Sequence, residues 1–347
     1  MDRKLASIQI ISDIQSILGA DNIEVAHILG WKTVVNKGEF SIGDKCVYVE
    51  IDSVLPEKPE FEFLRKSCWV NNGVVRGFRI RTIKLRKQLS QGICFPISVL
   101  DKENVSELAE QFGHDVTDLL GIVKYEPYIP ATMAGKIKGN FPSCIPKTDE
   151  IRIQNVPHVL EEHKGKLFAV TEKLAGTSQT CYINNNYFGV CSRNWELDLS
   201  DENNLYVKVA LSHDIENKLR SLHRNIALQG EIVGPGVEKN SYILGDLQLF
   251  GFRLYLIDEQ RFLDYSAFLD IMKNWLDIRV VPLIEDYVAL PNSVELLLEY
   301  AKGVSCLNNK VQREGVVIQP MIEDTDSELG RLSFKVINND YLLNEPK

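Results

Sequence analysis

The sequence predicts an α+β chain in which a small all-β domain precedes a larger mixed domain. Three observations carry this expectation. The first hundred residues hold short β-branched and apolar runs broken by turn residues. From about residue 145 onward, strand-like runs alternate with segments of helical spacing. A length of 347 residues exceeds what one core usually supports and fits two domains.

The N-terminal runs are Ser7–Ile11, Ile23–Leu29, Lys32–Val35, Cys46–Ile51 and Phe78–Leu85, separated by Gly19-Ala20-Asp21-Asn22, Lys37-Gly38 and Gly43-Asp44. Five short strands in a hundred residues suit a small β-barrel. An OB fold is the commonest such barrel that binds nucleic acid, and an SH3-like barrel reads the same way. Residues 101–140 are expected to be a helix, Asp101–Phe112, followed by a linker marked by Pro127, Pro130, Gly135 and Gly139. Residues 141–347 form the second domain. Its expected strands are Leu167–Leu174, Tyr187–Ser192, Ala227–Val233, Leu247–Ile257, Gly315–Pro320 and Leu332–Ile337. Its expected helices are Asn204–Arg220, Asp264–Leu276 and Ser293–Lys302, with Asp264 and Ser293 as N-caps.

Composition narrows the function classes. Hydrophobic residues make up 44% and charged residues 25%, an ordinary globular balance. No apolar run approaches the roughly 20 residues of a membrane span, and Met1-Asp2-Arg3-Lys4 lacks the apolar core of a signal peptide. Seven cysteines, an odd number with no CxxC pair, argue for an intracellular, reducing compartment without structural zinc. The net charge of −9 is unevenly distributed. Residues 63–100 contain Arg65, Lys66, Arg76, Arg79, Arg81, Lys84, Arg86 and Lys87 and no acidic residue. Such a local field can hold a phosphate backbone although the chain as a whole is acidic.

The second half carries five short motifs in order. Lys173 stands at the end of the apolar run Leu167-Phe168-Ala169-Val170 and just before Gly176, where a strand can desolvate an amine and a turn can present it. Glu231 lies between Gly230 and Gly234, which permit close ligand approach. Phe252 is an aromatic in a strand that could stack on a base. Glu314 precedes a strand at Gly315, and Lys335 interrupts the apolar Leu332–Ile337. Each alone has a bland alternative: a solvent-facing strand end, a core aromatic, a snorkelling lysine.

Taken in order, Lys173-x-x-Gly176, Gly230-Glu231, Phe252, Glu314-Gly315 and Lys335 resemble motifs I, III, IIIa, IV and V of the covalent nucleotidyltransferase superfamily. Ser192-Arg193-Asn194 stands where that group has motif Ia, and the segment Phe141 to Asn155 resembles the lead-in of its RNA ligases. Gly38-Glu39 and Val54-Leu55-Pro56 resemble the branch with an OB domain ahead of the catalytic domain. The resemblance implies an ATP-dependent RNA ligase sealing 3′-OH and 5′-phosphate RNA ends at nicks in duplex, acting as a monomer. Lys173 would be the nucleophile, forming lysyl-AMP, with Lys335 beside the same phosphate. Glu231 and Glu314 would hold Mg²⁺ or Mn²⁺. Glu172, Gly176, Arg193, Phe252, Lys147 and Arg152 would bind the nucleotide.

Two departures are visible. Ala175 replaces the aspartate common in motif I, and Ile337 stands where some members place a second motif V lysine, which leaves Lys335 to act with help from Arg331. Two alternatives stay open on this reading: a DNA ligase or mRNA guanylyltransferase of the same superfamily, which usually carry their OB domain after the catalytic domain, and a non-catalytic RNA-binding protein with a degenerate nucleotide pocket.

Overall fold

The computed structural model describes residues 4–100, 108, 111–126 and 135–344. The expected helix Asp101–Phe112 and the linker prolines Pro127 and Pro130 fall mostly or wholly outside the described residues. The chain divides into two compact units, one of residues 1–128 with 154–157 and 343–347, the other of residues 129–153 with 158–342.

The first unit is built from β1 (Ala6–Ile10), β2 (Asp13–Ser16), β3 (Ile23–Ile28), β4 (Trp31–Asn36), β5 (Lys45–Val49), β6 (Ser53–Leu55), β7 (Trp69–Asn71), β8 (Arg76–Arg79), β9 (Ile83–Leu85), β10 (Gln88–Ser90), β11 (Ile93–Pro96) and β12 (Val123–Lys124). They order as β1-β5-β11, β2-β3-β4 and β12-β6-β8-β7, with β9 and β10 a separate hairpin. β4 alternates, burying Trp31, Thr33 and Val35 while Lys32 and Val34 are half-buried, as a strand with one packed face should. Central β5, flanked by β1 and β11, is buried from Cys46 through Val49. Trp31, Tyr48, Phe61 and Phe78 fill the interior.

The expected strand Phe78–Leu85 is two elements. β8 ends at Arg79, after which the Ile80 amide bonds to the Ser53 carbonyl and Ile80 is buried. The chain then restarts as β9, and Leu85 pairs with Gln88 across a two-residue turn. Both turn residues have positive φ, 50° at Arg86 and 68° at Lys87, the geometry a tight hairpin demands. The basic field is also narrower than its sequence suggests. Arg65 and Arg76 pair with Glu57, and Arg79 pairs with Asp52. Lys84, Arg86 and Lys87 remain exposed on the hairpin.

The second unit contains β13 (Ile137–Asn140), β14 (Ile151–Arg152), β15 (Leu167–Lys173), β16 (Thr177–Asn184), β17 (Tyr187–Cys191), β18 (Trp195–Leu197), β19 (Ile226–Val233), β20 (Gln248–Leu256), β21 (Arg261–Phe262), β22 (Leu283–Ala289), β23 (Gly315–Pro320), β24 (Thr325–Asp326), β25 (Gly330–Arg331) and β26 (Phe334–Ile337). One sheet runs β13-β18-β17-β16-β19-β20-β21 and another β14-β26-β23-β15-β22. Helices Leu205–Ser212, Ile215–Arg220 and Tyr265–Asn274 pack apolar residues against the first sheet. The expected helix Asn204–Arg220 is broken in two because Asp214 adopts a left-handed conformation, φ 52° and ψ 39°. Asn204 caps the first piece by accepting from the Tyr206 amide at 3.0 Å. Ser293 caps its helix as expected, at 3.2 Å from the Leu296 amide. Asp264 sits at the cap position of its helix, yet its Oδ1 accepts from the Glu323 amide, so it ties the helix to the chain after β23 instead. Among the described residues no helix is long and apolar enough to cross a membrane.

In the second sheet, Phe168 of β15 and Phe334 of β26 are fully buried with ring centroids 6.5 Å apart. β15 runs from this contact to Lys173, and Lys335 directly follows Phe334 in β26, so this packing anchors the strands that carry both lysines. Replacing a buried phenylalanine with alanine removes transfer energy and leaves a cavity. Phe168→Ala is expected to lower the unfolding free energy by about 3–5 kcal/mol in urea titration; a loss under about 1 kcal/mol would show that the strand is held by other contacts.

Candidate active site

The fold brings the ordered motifs together through strand register. β15 pairs antiparallel with β23, placing Lys173 opposite Gly315 and next to the preceding Glu314. The Lys173 Nζ lies 2.7 Å from Glu314 Oε1, with both side chains mostly buried. β26 flanks β23 on its other side and sets Lys335 opposite Val317. β14 runs parallel to β26 and sets Arg152 opposite Lys335. Lys173, Glu314, Lys335 and Arg152 thus stand on four strands of one sheet, β23 beginning directly after Glu314.

Glu231 comes from β19 of the other sheet, where it faces Ser178 of β16. The turn from β15 into β16 makes this approach possible. A Cβ on Gly176 would lie 2.3 Å from the Ile232 carbonyl oxygen and 2.9 Å from Glu231 Cγ, so only glycine lets the two strands come so close. A Cβ on Gly315 would likewise lie 2.2 Å from the Val336 carbonyl oxygen. The glycines that mark these motifs are sites of backbone contact.

The charges are coupled. Burial pushes the Glu231 carboxyl up to about 8, against the pull of the nearby Lys173 ammonium and with the push of Glu314. Burial penalises the Lys173 ammonium, but Glu314 and Glu231 outweigh that penalty and its pKa is raised. Desolvation alone therefore does not activate the amine, in contrast to the expectation from its position at a strand end. Glu238, also pushed upward by burial and then by Glu314, is a third carboxyl in this field. Sequence reasoning missed it, because nothing in its local pattern separates it from a surface residue.

Glu172, next to Lys173, is fully buried. Its Oε2 accepts the Cys306 amide at 2.7 Å, whereas its Oε1 is buried with no hydrogen-bond partner. Ala175 is also buried, packed with Leu174, Val233, Tyr242 and Phe250, and its amide donates to the Tyr242 hydroxyl at 2.7 Å. An alanine suits this apolar pocket, and Tyr242 fixes the backbone of the turn. Phe252 is half-buried against the same cluster.

The remaining candidates form a polar rim. Arg193 pairs with Asp149 and lies within the field of Glu231. Lys147 donates to Asn194 Oδ1 at 3.2 Å. A residue that sequence reasoning passed over organises this rim. Buried Arg253 donates to Gln229 at 2.6 Å, to Glu150 at 2.8 Å and to the Lys147 carbonyl at 3.0 Å. Its signal was an arginine inside the apolar run Leu249–Leu254, adjacent to Phe252. Arg331, expected to assist Lys335, is instead gripped by Glu323 at 2.6 Å with Glu150 at 3.6 Å.

Comparison with known proteins bears on the family and the fold. A model of an OB-fold domain matches residues 5–97, and a model of the RNA ligase family matches residues 166–337. Naegleria gruberi RNA ligase with pyrophosphate is 39% identical and superposes with a TM-score of 0.90, covering 98% of each chain. A mutant of that ligase with AMP and manganese gives 0.89, and another with ATP and manganese gives 0.88, each at 39% identity and 98% coverage of both chains. A search of curated proteins returned no match. With this identity over nearly its whole length, the chain belongs to the RNA ligase family and combines an N-terminal OB-fold domain with an α+β ligase catalytic domain.

Proposed function

We propose that this RNA ligase uses ATP to join 3′-OH and 5′-phosphate ends at nicks in duplex RNA, with Lys173 as the nucleophile. The observation that carries the reading is the Lys173–Glu314 contact of 2.7 Å inside the field of Glu231. An amine in contact with one half-buried carboxylate and in the field of a second is an arrangement in which another cation can take its place. Glu231 and Glu314 fit Mg²⁺ or Mn²⁺, which bind hard oxygen donors and need few carboxylates. When bound, the metal supplies positive charge against the α-phosphate and disfavours the lysine ammonium.

The residues then divide the work. Lys173 Nζ, relieved of its proton, attacks the α-phosphorus; an N–P bond forms and the bond to pyrophosphate breaks. The proton goes to solvent, because Glu314, the partner of that nitrogen in the free protein, would be taken up as a metal ligand. The AMP passes to the RNA 5′-phosphate, breaking the N–P bond, and the 3′-hydroxyl attacks the activated phosphate to release AMP. Lys335 adds charge at the α-phosphate, and Arg152 and Lys147 orient the outer phosphates. Phe252 stacks on the base, and Arg193 contacts the ribose or incoming 5′-phosphate. The orphaned Glu172 Oε1 accepts from the amino group of adenine, which guanine lacks at that position, so it favours ATP over GTP. The nick preference rests on the match to the OB-bearing branch, with residues 1–100 holding the duplex and the β9–β10 hairpin its main phosphate contact.

The direct test is label transfer from α-³²P-ATP with Mg²⁺ or Mn²⁺. Lys173→Met is expected to abolish labelling while circular dichroism stays native; retained labelling would refute the nucleophile. Glu172→Ala is expected to raise KM for ATP by about tenfold to a hundredfold, the worth of a hydrogen bond to a charged group; an unchanged KM would remove Glu172 from base recognition. Replacing Lys84, Arg86 and Lys87 together with alanine is expected to weaken binding to nicked duplex RNA and to flatten its salt dependence by about two to three units of slope. Adenylylation would be unaffected, and an unchanged salt slope would place the RNA elsewhere.

A further inference from the structure

A second cluster of metal-ligating side chains lies in the catalytic unit, away from Lys173. His158 begins a short helix, Val159–Glu162, with its carbonyl accepting from the Glu161 and Glu162 amides at 3.1 Å each. The i, i+4 spacing puts His158 and Glu162 on one face of that turn. Asp326, at the end of β24, faces them. One ligand atom from each of the three lies within 4.8 Å of the others. The cluster sits at the Leu167 end of β15, where Met321 bonds Leu167 and Lys166 pairs with Asp324. Lys173 is at the other end, six residues of strand or about 20 Å away.

Several features set this group apart from an incidental surface cluster. Asp326 is 8% exposed and firmly placed: its Oδ1 accepts the Glu328 and Leu329 amides at 2.8 and 2.9 Å. Its Oδ2 contacts His163 Nε2 at 2.8 Å and retains a second lone pair. Such support behind a carboxylate is how proteins orient a metal ligand. His158 Nε2 is buried without a hydrogen-bond partner, so an imidazole nitrogen is available as a donor to a cation. Glu328 Oε2, 3.4 Å from that nitrogen, can complete a fourth position.

We propose that His158, Glu162 and Asp326 form a divalent-metal site separate from the active site, suited to Zn²⁺. One imidazole with two or three carboxylates is a borderline donor set, which favours zinc over the all-oxygen preference of magnesium. Bond lengths of about 2.0–2.2 Å require the ligands to close in, and the exposed Glu162 side chain is free to swing for this. A bound ion staples the segment just after Arg152 to the hairpin joining the strands of Gly315 and Lys335, so it steadies the active-site sheet from its far end. The inference does not depend on the ligase mechanism proposed above.

The test uses the full chain, stripped with chelator and carrying Glu231→Gln and Glu314→Gln so that the active site contributes no metal. Zn²⁺ is titrated alone against a chromophoric chelator, and melting is followed in parallel. One equivalent bound below micromolar, with a raised Tm, is expected. His158→Ala and Glu162→Gln, which leave the Asp326–His163 pair in place, are each expected to weaken binding by about a hundredfold or more and to abolish the Tm shift. Absence of zinc binding in the parent would overturn the proposal. So would binding indifferent to His158→Ala, which would assign the metal to cysteines.

Discussion

The contact between Lys173 and Glu314, with Glu231 behind it, is the constraint on which the catalytic unit is organised. An amine and two carboxyls gather in a half-buried region. Burial pushes Glu231 toward its neutral form and penalises the ammonium, while the opposite charges pull both back. In the arrangement seen here the lysine is the resident cation. On the mechanism proposed above, activation of Lys173 is an exchange of cations. Burial at a strand end does not achieve it unaided.

The sheets exist to hold these groups in register. A single residue of slip between β15 and β23 would turn Lys173 to the opposite face and part it from Glu314. The glycines prevent such drift indirectly, because Gly176 and Gly315 admit backbone contacts that no side chain could. Phe168 and Phe334 pack together near the starts of β15 and β26, the strands on either side of β23. Outside this core, Arg253 gathers Gln229, Glu150 and Lys147 into one polar rim. A buried arginine with three partners tolerates little movement, so the rim is preorganised before a nucleotide arrives.

Much of this was legible in the sequence because charged residues interrupting apolar strands are conspicuous. Lys173, Glu231, Glu314 and Lys335 all stand out in that way, and the two-part organisation follows from the shift in hydrophobic period. What was not legible is long-range. Arg253 and Glu150 are 103 residues apart, and Glu172 meets Cys306 across 134 residues. Arg65 and Arg76 looked like free cations until Glu57 was seen between them. The break at Asp214 was hidden because a single left-handed residue leaves the apolar spacing on either side nearly unchanged. The strand expected over Phe78–Leu85 misled for the converse reason: the β-branched Ile80, Thr82 and Ile83 run straight across the break between β8 and β9.

Whether a metal replaces the Lys173 ammonium at the two glutamates can be measured without turnover. Protein labelled with ¹⁵N-lysine reports the protonation of the Lys173 amine by NMR, with the Lys173→Met variant giving the assignment. Without metal the amine should titrate above the ordinary lysine value, and saturating Mg²⁺ should bring its pKa down sharply. An amine whose titration is unmoved by Mg²⁺, or already low without it, would contradict the account.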